Sequence, residues 1–554
     1  MKEPIFMSDQ AHPFNPFKKV LLALITALTV AVPSNVHAAL EIKAQETSFY
    51  KDMFEQGAYY EGTSYLRLDR LYRALFNKQV GAEDINIYDE VPDSSFFTNR
   101  HARSPLSLQD LKKGFQETDG PNFSGEVKVV GGVFEGLQPN FEIEDASGAR
   151  YELRFDSSDN FELATAASVI ASRFYHAAGY NVPQVTVVKF AAGTLVPAPG
   201  ARIIDDTGFE KDLTAEKLEE YLLFLPTDEA GDYRASATKV ISGSDKGSFN
   251  FQGKRRGDAS DLVDHERRRS LRALQVFASW LNNTDVRPGT TQDVVVTENG
   301  QEVLKHYLTG FSSSLGATSK GPKPPMHGHE YLFDFGETAK AFFTLGIWEK
   351  PWQRRWREAG EKASSSPALG YFDNRYFEPQ SFKTQLSNYA FKDVSRADGF
   401  WAAKIIKSFS DDDIRALVEA GQLTSSEDAE AITRVLIERR DIIARYWYRT
   451  ANPLDFFEYA NGTLNFKDLA VDAGFVPAEG TVYHFEVLSV EGNRGTHAAS
   501  LQSSATSLAV DSSWFSSGSV HILIRTSRPG SAEPSLFVRV ELDAQKLLGI
   551  MHED

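Results

Sequence analysis

Apolar and polar positions change period several times along the chain, and each change marks an element. Between Glu126 and Phe155 the period is two. Glu126-Val-Lys-Val-Val130, Asn140-Phe-Glu-Ile-Glu144 and Arg150-Tyr-Glu-Leu-Arg154-Phe155 each alternate, as strands with one buried face do. Gly131, Gly132 and Gly136 punctuate the first connection, and Asp145-Ala-Ser-Gly148 reads as a turn, so the segment predicts a β-meander. The period then lengthens. Leu163, Ala167, Ile170, Phe174 and Ala178 fall near one face of a helix from Glu162 through Ala178, which Gly179 ends. Residues 182–190 return to a strand.

The pattern weakens over 191–262, where only a short helix near Ala215 to Leu223 stands out, and the stretch reads as an insertion. A strong helix is predicted from Leu262 to Leu281, with Leu271, Leu274, Val276, Phe277 and Trp280 inward. A polar loop follows at 282–290, then a strand, the tight turn Glu298-Asn-Gly300, a strand over Val303 to Leu308, and a small-residue loop through Gly316. Residues 317–330 form a Gly/Pro/Ser/Lys loop, and helices dominate from Asp393 to Ala451. Capping boxes are expected at Ser107 with Asp110, Ser410 with Asp413, and Thr424 with Glu427. Ahead of all this, Tyr50 to Lys78 is a helical, aromatic stretch, and Thr481 to Asp554 alternates in short strands with Ser/Gly turns.

Three strands, a helix and a strand, followed by a helix, a polar loop and a hairpin, are the order of a protein kinase. The expected fold is therefore α+β: a bilobal protein-kinase-like core with a small C-terminal β-sandwich domain. The expected divisions are an N-terminal helical and extended segment over 39–120, a small lobe over 121–192, the insertion over 193–262, a helical large lobe over 263–460 and the sandwich over 465–554.

Composition narrows the setting. With 554 residues and 42% hydrophobic content, the chain can bury several cores. Its net charge of −17 argues against nonspecific nucleic-acid binding. The basic runs Lys254-Arg255-Arg256 and Arg267-Arg268-Arg269 read as solvated charges. Lys18 and Lys19 precede an apolar run from Val20 to Val32, Pro33 breaks it, and Val36-His37-Ala38 supplies small residues. Residues 1–38 thus read as a secretory signal peptide, and the protein as exported, periplasmic or secreted, with no stable membrane span in the mature chain. The sequence has no cysteine, which excludes disulfides, thiolate chemistry and Cys-type metal sites.

Phosphoryl transfer needs positioned Mg²⁺, a clamp on the phosphates and a carboxylate that orients the acceptor. In that layout Asp285 is the catalytic candidate. Arg154 stands at the phosphate-clamp slot of the third strand, Glu162 is the helix residue available to pair with it, and Gly131, Gly132 and Gly136 are the loop glycines. Five positions after Asp285, where a metal-binding Asn is expected, stands Thr290, with Asp293 close by. Gly310 stands where the metal-chelating Asp belongs. A literal Asp334-Phe335-Gly336 occurs later, after a long loop and no hairpin, so Asp334 is a weaker metal candidate and a natural helix N-cap. His327-Gly-His329-Glu330 could bind a metal by residue type alone.

Residues 91–100, 161–170, 179–183, Asn283-Thr-Asp285-Val-Arg287, His306-Tyr-Leu308 and Glu330-Tyr-Leu-Phe-Asp334 resemble a family of exported bacterial proteins with a kinase-like core. That family is distantly similar to persistence-toxin kinases and spore-coat secretory kinases. The resemblance covers roughly residues 85–460. It implies Lys at the position of Arg154, Asn at Thr290 and Asp at Gly310, and the chain departs at all three. Three readings follow. The first is an exported pseudokinase-like binding or scaffold protein with a degenerate Mg-ATP site and no cofactor. The second is an unconventional ATP-dependent phosphotransferase or nucleotidyltransferase, with ATP and Mg²⁺ as cofactors. The third is a cell-envelope module that binds a glycan or protein partner.

Overall fold

The structure, a computed structural model, describes residues 42–553 apart from 77–78, 136–137, 206, 325, 351, 355–356, 358–365 and 532–534. The expected leader and Gly136 lie outside the described residues. The described part opens with a helical run, Phe49–Asp52, Met53–Tyr60 and Glu61–Ser64, then α1 (Leu68–Leu75) and α2 (Leu108–Lys113). Ser107 caps α2 by accepting from the Asp110 N–H, as its sequence position suggests.

The alternating segments become β1 (Val127–Glu135), β2 (Gln138–Glu144) and β3 (Arg150–Phe155). With β4 (Val185–Phe190), β5 (Leu195–Ile204), β6 (Glu210–Asp212) and β7 (Tyr233–Lys239) they form a seven-stranded mixed sheet of order β4-β7-β3-β2-β1-β5-β6. One face is apolar: Tyr151, Leu153 and Phe155 of β3 join Phe141 and Ile143 of β2 in a buried cluster. Two helices lie along the sheet, α3 (Leu163–Ala178) and α4 (Ala215–Leu222). α4 covers the apolar face through Leu218, Tyr221 and Leu222. Each such side chain contributes about 1.5–3 kcal/mol when fully buried.

The stretch 193–262 is therefore part of the sheet, where an insertion was expected. It supplies β5, β6 and β7, and β7 lies between β4 and β3. The reason is legible afterwards. The inward residues of β7 are Ala235 and Ala237, too small to give a hydrophobic signal, yet both are fully buried.

α3 was expected to be amphipathic. Every residue of it except His176 is buried. Its surroundings are α2, β4, β7, α8 (Asp411–Glu419) and the short hairpin β11 (Ala317–Thr318) and β12 (Gly321–Pro322). Asp156 starts the helix, accepting the N–H groups of Ala164 at 2.8 Å and Thr165 at 2.9 Å. Gly179 ends it at φ 134°, with Phe97 so close that an added Cβ would lie 2.3 Å from its ring. No other residue fits there.

The long helix expected over 262–281 is broken into His265–Arg267, Arg269–Arg272 and α5 (Leu274–Leu281). Part of the cause is charge. Arg255, Arg268 and Arg269, expected as solvated, are all buried. Arg255 faces Asp293, Arg268 pairs with Asp261, and Arg269 pairs with Asp89 and Asp398. After α5 come a short strand pair, β9 (Thr291–Glu298) with β10 (Gln301–Leu308), flanked by β8 (Ser244–Asp245). α6 (Phe335–Phe343), α7 (Arg396–Lys407), α8 and α9 (Ser426–Thr450) follow. α5, α7, α8 and α9 share one core with α3, containing Trp280, Phe400, Trp401 and Leu436.

The C-terminal part is a three-stranded sheet, β13 (Leu454–Ala460), β14 (Thr463–Asp468) and β17 (Ser507–Ala509), with a five-stranded one. The latter orders β16 (Arg494–Ser503), β15 (Val482–Glu491), β18 (Ser519–Ser527), β19 (Val538–Leu542) and β20 (Leu547–His552). Both are antiparallel and feed one core, from Leu464 and Phe466 to Phe485, Ile522 and Val540. The region begins at Leu454, ahead of the Thr481 start that alternation suggested. Among the described residues no helix is long and apolar enough to cross a membrane.

Candidate functional site

The polar loop after α5 is drawn tight against the residues that follow β10. α5 closes with Asn282 in the left-handed region, φ 51°. The β9–β10 hairpin pairs Thr291 with Leu308 at its base, which returns Thr309 and Gly310 beside the loop. Thr309 N–H donates to the Thr290 carbonyl at 3.0 Å. Asn283 Nδ2 donates to the Gly310 carbonyl at 3.1 Å, and its Oδ1 accepts the Asp285 N–H at 3.2 Å.

Asp285 keeps 23% side-chain exposure, and its Oδ1 accepts Arg287 Nε at 2.7 Å. Arg287 in turn donates through Nη1 to Asp52 at 2.7 Å. Asp52 sits in the N-terminal helical run and is buried. It also accepts the Gly289 N–H at 2.8 Å and the Thr47 hydroxyl at 2.7 Å. The Phe49 ring lies 5.1 Å from the Arg287 guanidinium. Burial works against the charge of Arg287, and the two carboxylates outweigh it and hold its pKa up. The loop is thus clamped from outside by a segment 235 residues earlier in the chain.

Thr290 is buried at the foot of the loop. Its hydroxyl donates to the Asp285 carbonyl at 2.9 Å and accepts the Arg287 N–H at 3.1 Å. Its methyl group faces Gly310. A Cβ built on Gly310 would lie 2.5 Å from both Cβ and Cγ2 of Thr290. The two positions where the kinase layout expects metal ligands are packed against each other, with no room for a carboxylate on Gly310.

Arg154 projects from the polar face of β3, opposite Leu153 and Phe155. It bonds Glu152 through Nη2 at 2.8 Å and Nε at 3.1 Å. Glu152 raises its pKa most, burial opposes, and Asp285 adds to the rise. The expected partner Glu162 is elsewhere. It accepts from the Thr424 N–H at 2.9 Å and the Thr424 hydroxyl at 2.6 Å, and lies 3.8 Å from Arg234. Among the described residues no ion pair joins Arg154 to Glu162. The diverted Thr424 explains a shifted cap: α9 is capped by Ser425, which accepts the Asp428 N–H. Gly131 and Gly132, expected in the loop between the first two strands, lie instead inside β1, at a bulge where the register with β2 and β5 shifts after Val129.

The two further metal candidates are committed elsewhere. Asp293 is fully buried on β9, between His306 Nδ1 at 2.6 Å and Arg255 Nε at 2.9 Å. Asp334 caps α6 through the Glu337 N–H at 3.1 Å and pairs with Lys383 at 2.6 Å. Burial raises its pKa, but the Lys383 bond and the capped N–H bring it below the ordinary carboxylate value. His327 lies 3.3 Å from Gln385, and burial with nearby Lys323 takes its pKa down to about 4. Glu330 pairs with Lys350, so the His327–Glu330 group does not converge. Among the described residues no three His, Asp or Glu side chains gather to hold a metal ion.

Two residues that the sequence did not single out shape the site. One is Asp52. The other is Lys323, buried in the Gly/Pro loop, with Nζ donating to Ser313 O at 2.7 Å and Asn282 Oδ1 at 2.9 Å. Burial pushes its pKa well down, and Arg439 adds to that while Asp285 opposes. With His327 and Arg439 it lines a cleft of about 100 Å³ below the loop. Composition marks that stretch as an exposed loop, and no periodic signal announces a buried lysine.

The Mg²⁺ that the kinase layout implies does not fit these residues. Thr290 offers a hydroxyl already engaged by the Asp285 and Arg287 backbone, Gly310 offers nothing, and Arg154 already carries a carboxylate. No protein-family model matches the chain, and no curated protein matches it in sequence. A solved structure similar to it is that of the proinflammatory kinase CtkA of Helicobacter pylori, at TM-score 0.27 and 10% identity. That match covers 58% of this chain and 98% of the other. At so low a TM-score nothing about this chain is inferred from it.

Proposed function

We propose that the chain is an exported pseudokinase-like protein that acts by binding or scaffolding, on a bilobal scaffold whose Mg-ATP site has degenerated. The strand order β4-β7-β3-β2-β1, with α3 beside it and a helix–loop–hairpin after it, supports the scaffold part. The packing of Thr290 against Gly310 carries the degenerate part. Removing a carboxylate from such a centre takes away the counter-charge that holds the metal and the phosphates. Glu152 works in the same sense, since it neutralises the cation that would grip them. The test is thermal unfolding with and without Mg-ATP. A ligand at 100 times its Kd stabilises by about 2.7 kcal/mol. No Mg²⁺-dependent rise in Tm is expected, and a clear rise would overturn the proposal.

A second reading, an envelope-partner module, has one observation in its favour. β16 is the edge strand of its sheet, and all of it is exposed except Ala499 and Ser503, which are half-buried. We read the two C-terminal sheets as a small β-sandwich, and such an edge accepts an added strand. The matching assay is capture of envelope extract by the whole protein and by Ala498→Pro. Equal capture by both would dismiss this edge as the contact.

A further inference from the structure

We propose that the cleft beneath the Asp285 loop binds a small free oxyanion, a phosphate or a carboxylate. Two cations are buried in its wall. Lys323 is 2% exposed and Arg439 is 4% exposed, and among the described residues neither has a carboxylate within ion-pair distance. Their partners are carbonyl oxygens. Lys323 donates to the carbonyls of Asn282 and Ser313 and to Asn282 Oδ1. Arg439 donates to Ser279 O at 2.8 Å, Asp373 O at 2.9 Å and Asn374 Oδ1 at 2.8 Å. Ser279 and Asn282 stand at the end of α5, and a helix C-terminus supplies only about half a negative charge. Two carboxylates also line the cleft, but Arg375 holds Asp373 through Nη2 at 2.7 Å. Glu378 is left to face two buried cations, and it accepts the Ser381 hydroxyl at 3.0 Å. Buried charge without counter-charge is costly, and a bound anion relieves that cost.

The cleft also presents donors that the protein does not use. Lys323 takes Asn282 Oδ1, which leaves Nδ2 of that amide beside Gly328 on the same wall, where an added Cβ would lie 3.3 Å from it. Gln385 Nε2 can only donate, and it meets His327 Nδ1 at 3.3 Å, so the proton of a neutral His327 is on Nε2. Arg375 spends Nε and Nη2 on Asp373 and keeps Nη1. Asn282 Nδ2, His327 Nε2 and Arg375 Nη1 thus have no protein partner among the described residues. All three groups line the cleft, and N–H donors beside buried positive charge suit oxygen anions. Burial and Lys323 take the His327 pKa down to about 4, as befits a base facing an excess of positive charge. Size limits the occupant. The volume of about 100 Å³ is the share of about three water molecules, room for phosphate or acetate and too little for a nucleotide. Neither Thr290 nor Gly310 lines this cleft, so the inference does not rest on the proposed function.

The experiment is titration calorimetry of the whole protein with sodium phosphate and, separately, with sodium acetate. Mg²⁺ is left out, and chloride holds the ionic strength constant. At least one of the two anions should bind saturably at one site, and Tm should rise over the same concentrations. Which of them binds tells phosphate from carboxylate. Arg375→Gln removes one donor and frees the Asp373 carboxylate to repel an anion. His327→Ala removes a second donor. Each should weaken Kd about tenfold or more. The Arg375 side chain is 46% exposed and His327 is half-buried, so near-UV circular dichroism of both variants should match the wild type. Arg494→Gln, on exposed β16, should bind as the wild type does. An absence of saturable binding with both anions would overturn the proposal. So would equal affinity in the wild type and both cleft variants, which would reduce the response to a general salt effect.

Discussion

Gly310 and Thr290 decide between them what the Asp285 loop can hold. A side chain on Gly310 has to displace Thr290, and Thr290 is fixed by hydrogen bonds to Arg287 and to the Asp285 carbonyl. Gly310→Ala should therefore lower stability by about 1–3 kcal/mol, the usual range for overpacking. Urea unfolding measures it, and an unchanged midpoint would show that the loop yields freely. Asp293 gives a second test at this scale. It faces Arg255 and His306 in full burial, so Asp293→Asn leaves a buried guanidinium without its carboxylate. A loss of about 3 kcal/mol is expected, with or without Mg²⁺ in the buffer. A loss seen only with Mg²⁺ present would restore Asp293 as a metal ligand. The residue types at these positions were legible as departures from a kinase pattern. Their mutual contact was not, since nothing in a sequence states which side chain fills the space that a glycine leaves.

At the scale of elements, the N-terminal helical run behaves as a clamp on the loop. Asp52 satisfies Arg287 and the Gly289 N–H together, and Tyr60 stacks on Tyr389 at 3.3 Å between ring centroids. Asp52→Ala should cost about 1–3 kcal/mol through the donors it strands. It should also expose the run to protease well before the rest unfolds, and limited proteolysis followed by mass spectrometry checks this. Simultaneous loss of run and core would mean that the two are one cooperative unit. The sequence indicated a helical, aromatic stretch here but not its docking site, because the contact joins residues 52 and 287. α3 teaches the same lesson in another form. Its apolar stripe was visible, while the burial of nearly its whole circumference came from β11, β12, α2 and α8 arriving from distant parts of the chain.

At the scale of the molecule, the last strand is tied to a segment far earlier in the chain, since His552 and Asp89 are 463 positions apart. His552 of β20 sits between Asp89, 2.8 Å from Nδ1, and the Leu454 carbonyl, 2.9 Å from Nε2. Burial lowers its pKa, but the Asp89 contact outweighs that and the net shift is upward. For Asp89, burial is likewise outweighed, by Arg269 first and then His552, and its carboxyl is held well below the ordinary range. A raised histidine stabilises below its unfolded value of about 6.5, and that stability is lost as pH rises through the folded value. A depressed carboxyl stabilises above about 3.9, and that part is lost as pH falls through its folded value. Urea midpoints should therefore decline as pH climbs above about 6.5, and His552→Gln should flatten the decline. An equal decline in the variant would place the titrating group elsewhere.

The sequence by itself determined the local elements: the three-stranded meander, the helix ended by Gly179, the hairpin around Asn299 and Gly300, and the caps at Ser107 and Ser410. Those follow from period, turn chemistry and capping, which act over a few neighbouring residues. Only the tertiary structure decided that β7 lies between β4 and β3, that Arg154 meets Glu152 while Glu162 meets Thr424, and that Asp52 holds Arg287. Each of those is a pairing across space, set by which buried charge needs a partner and which gap needs filling. Period and composition carry no record of such needs.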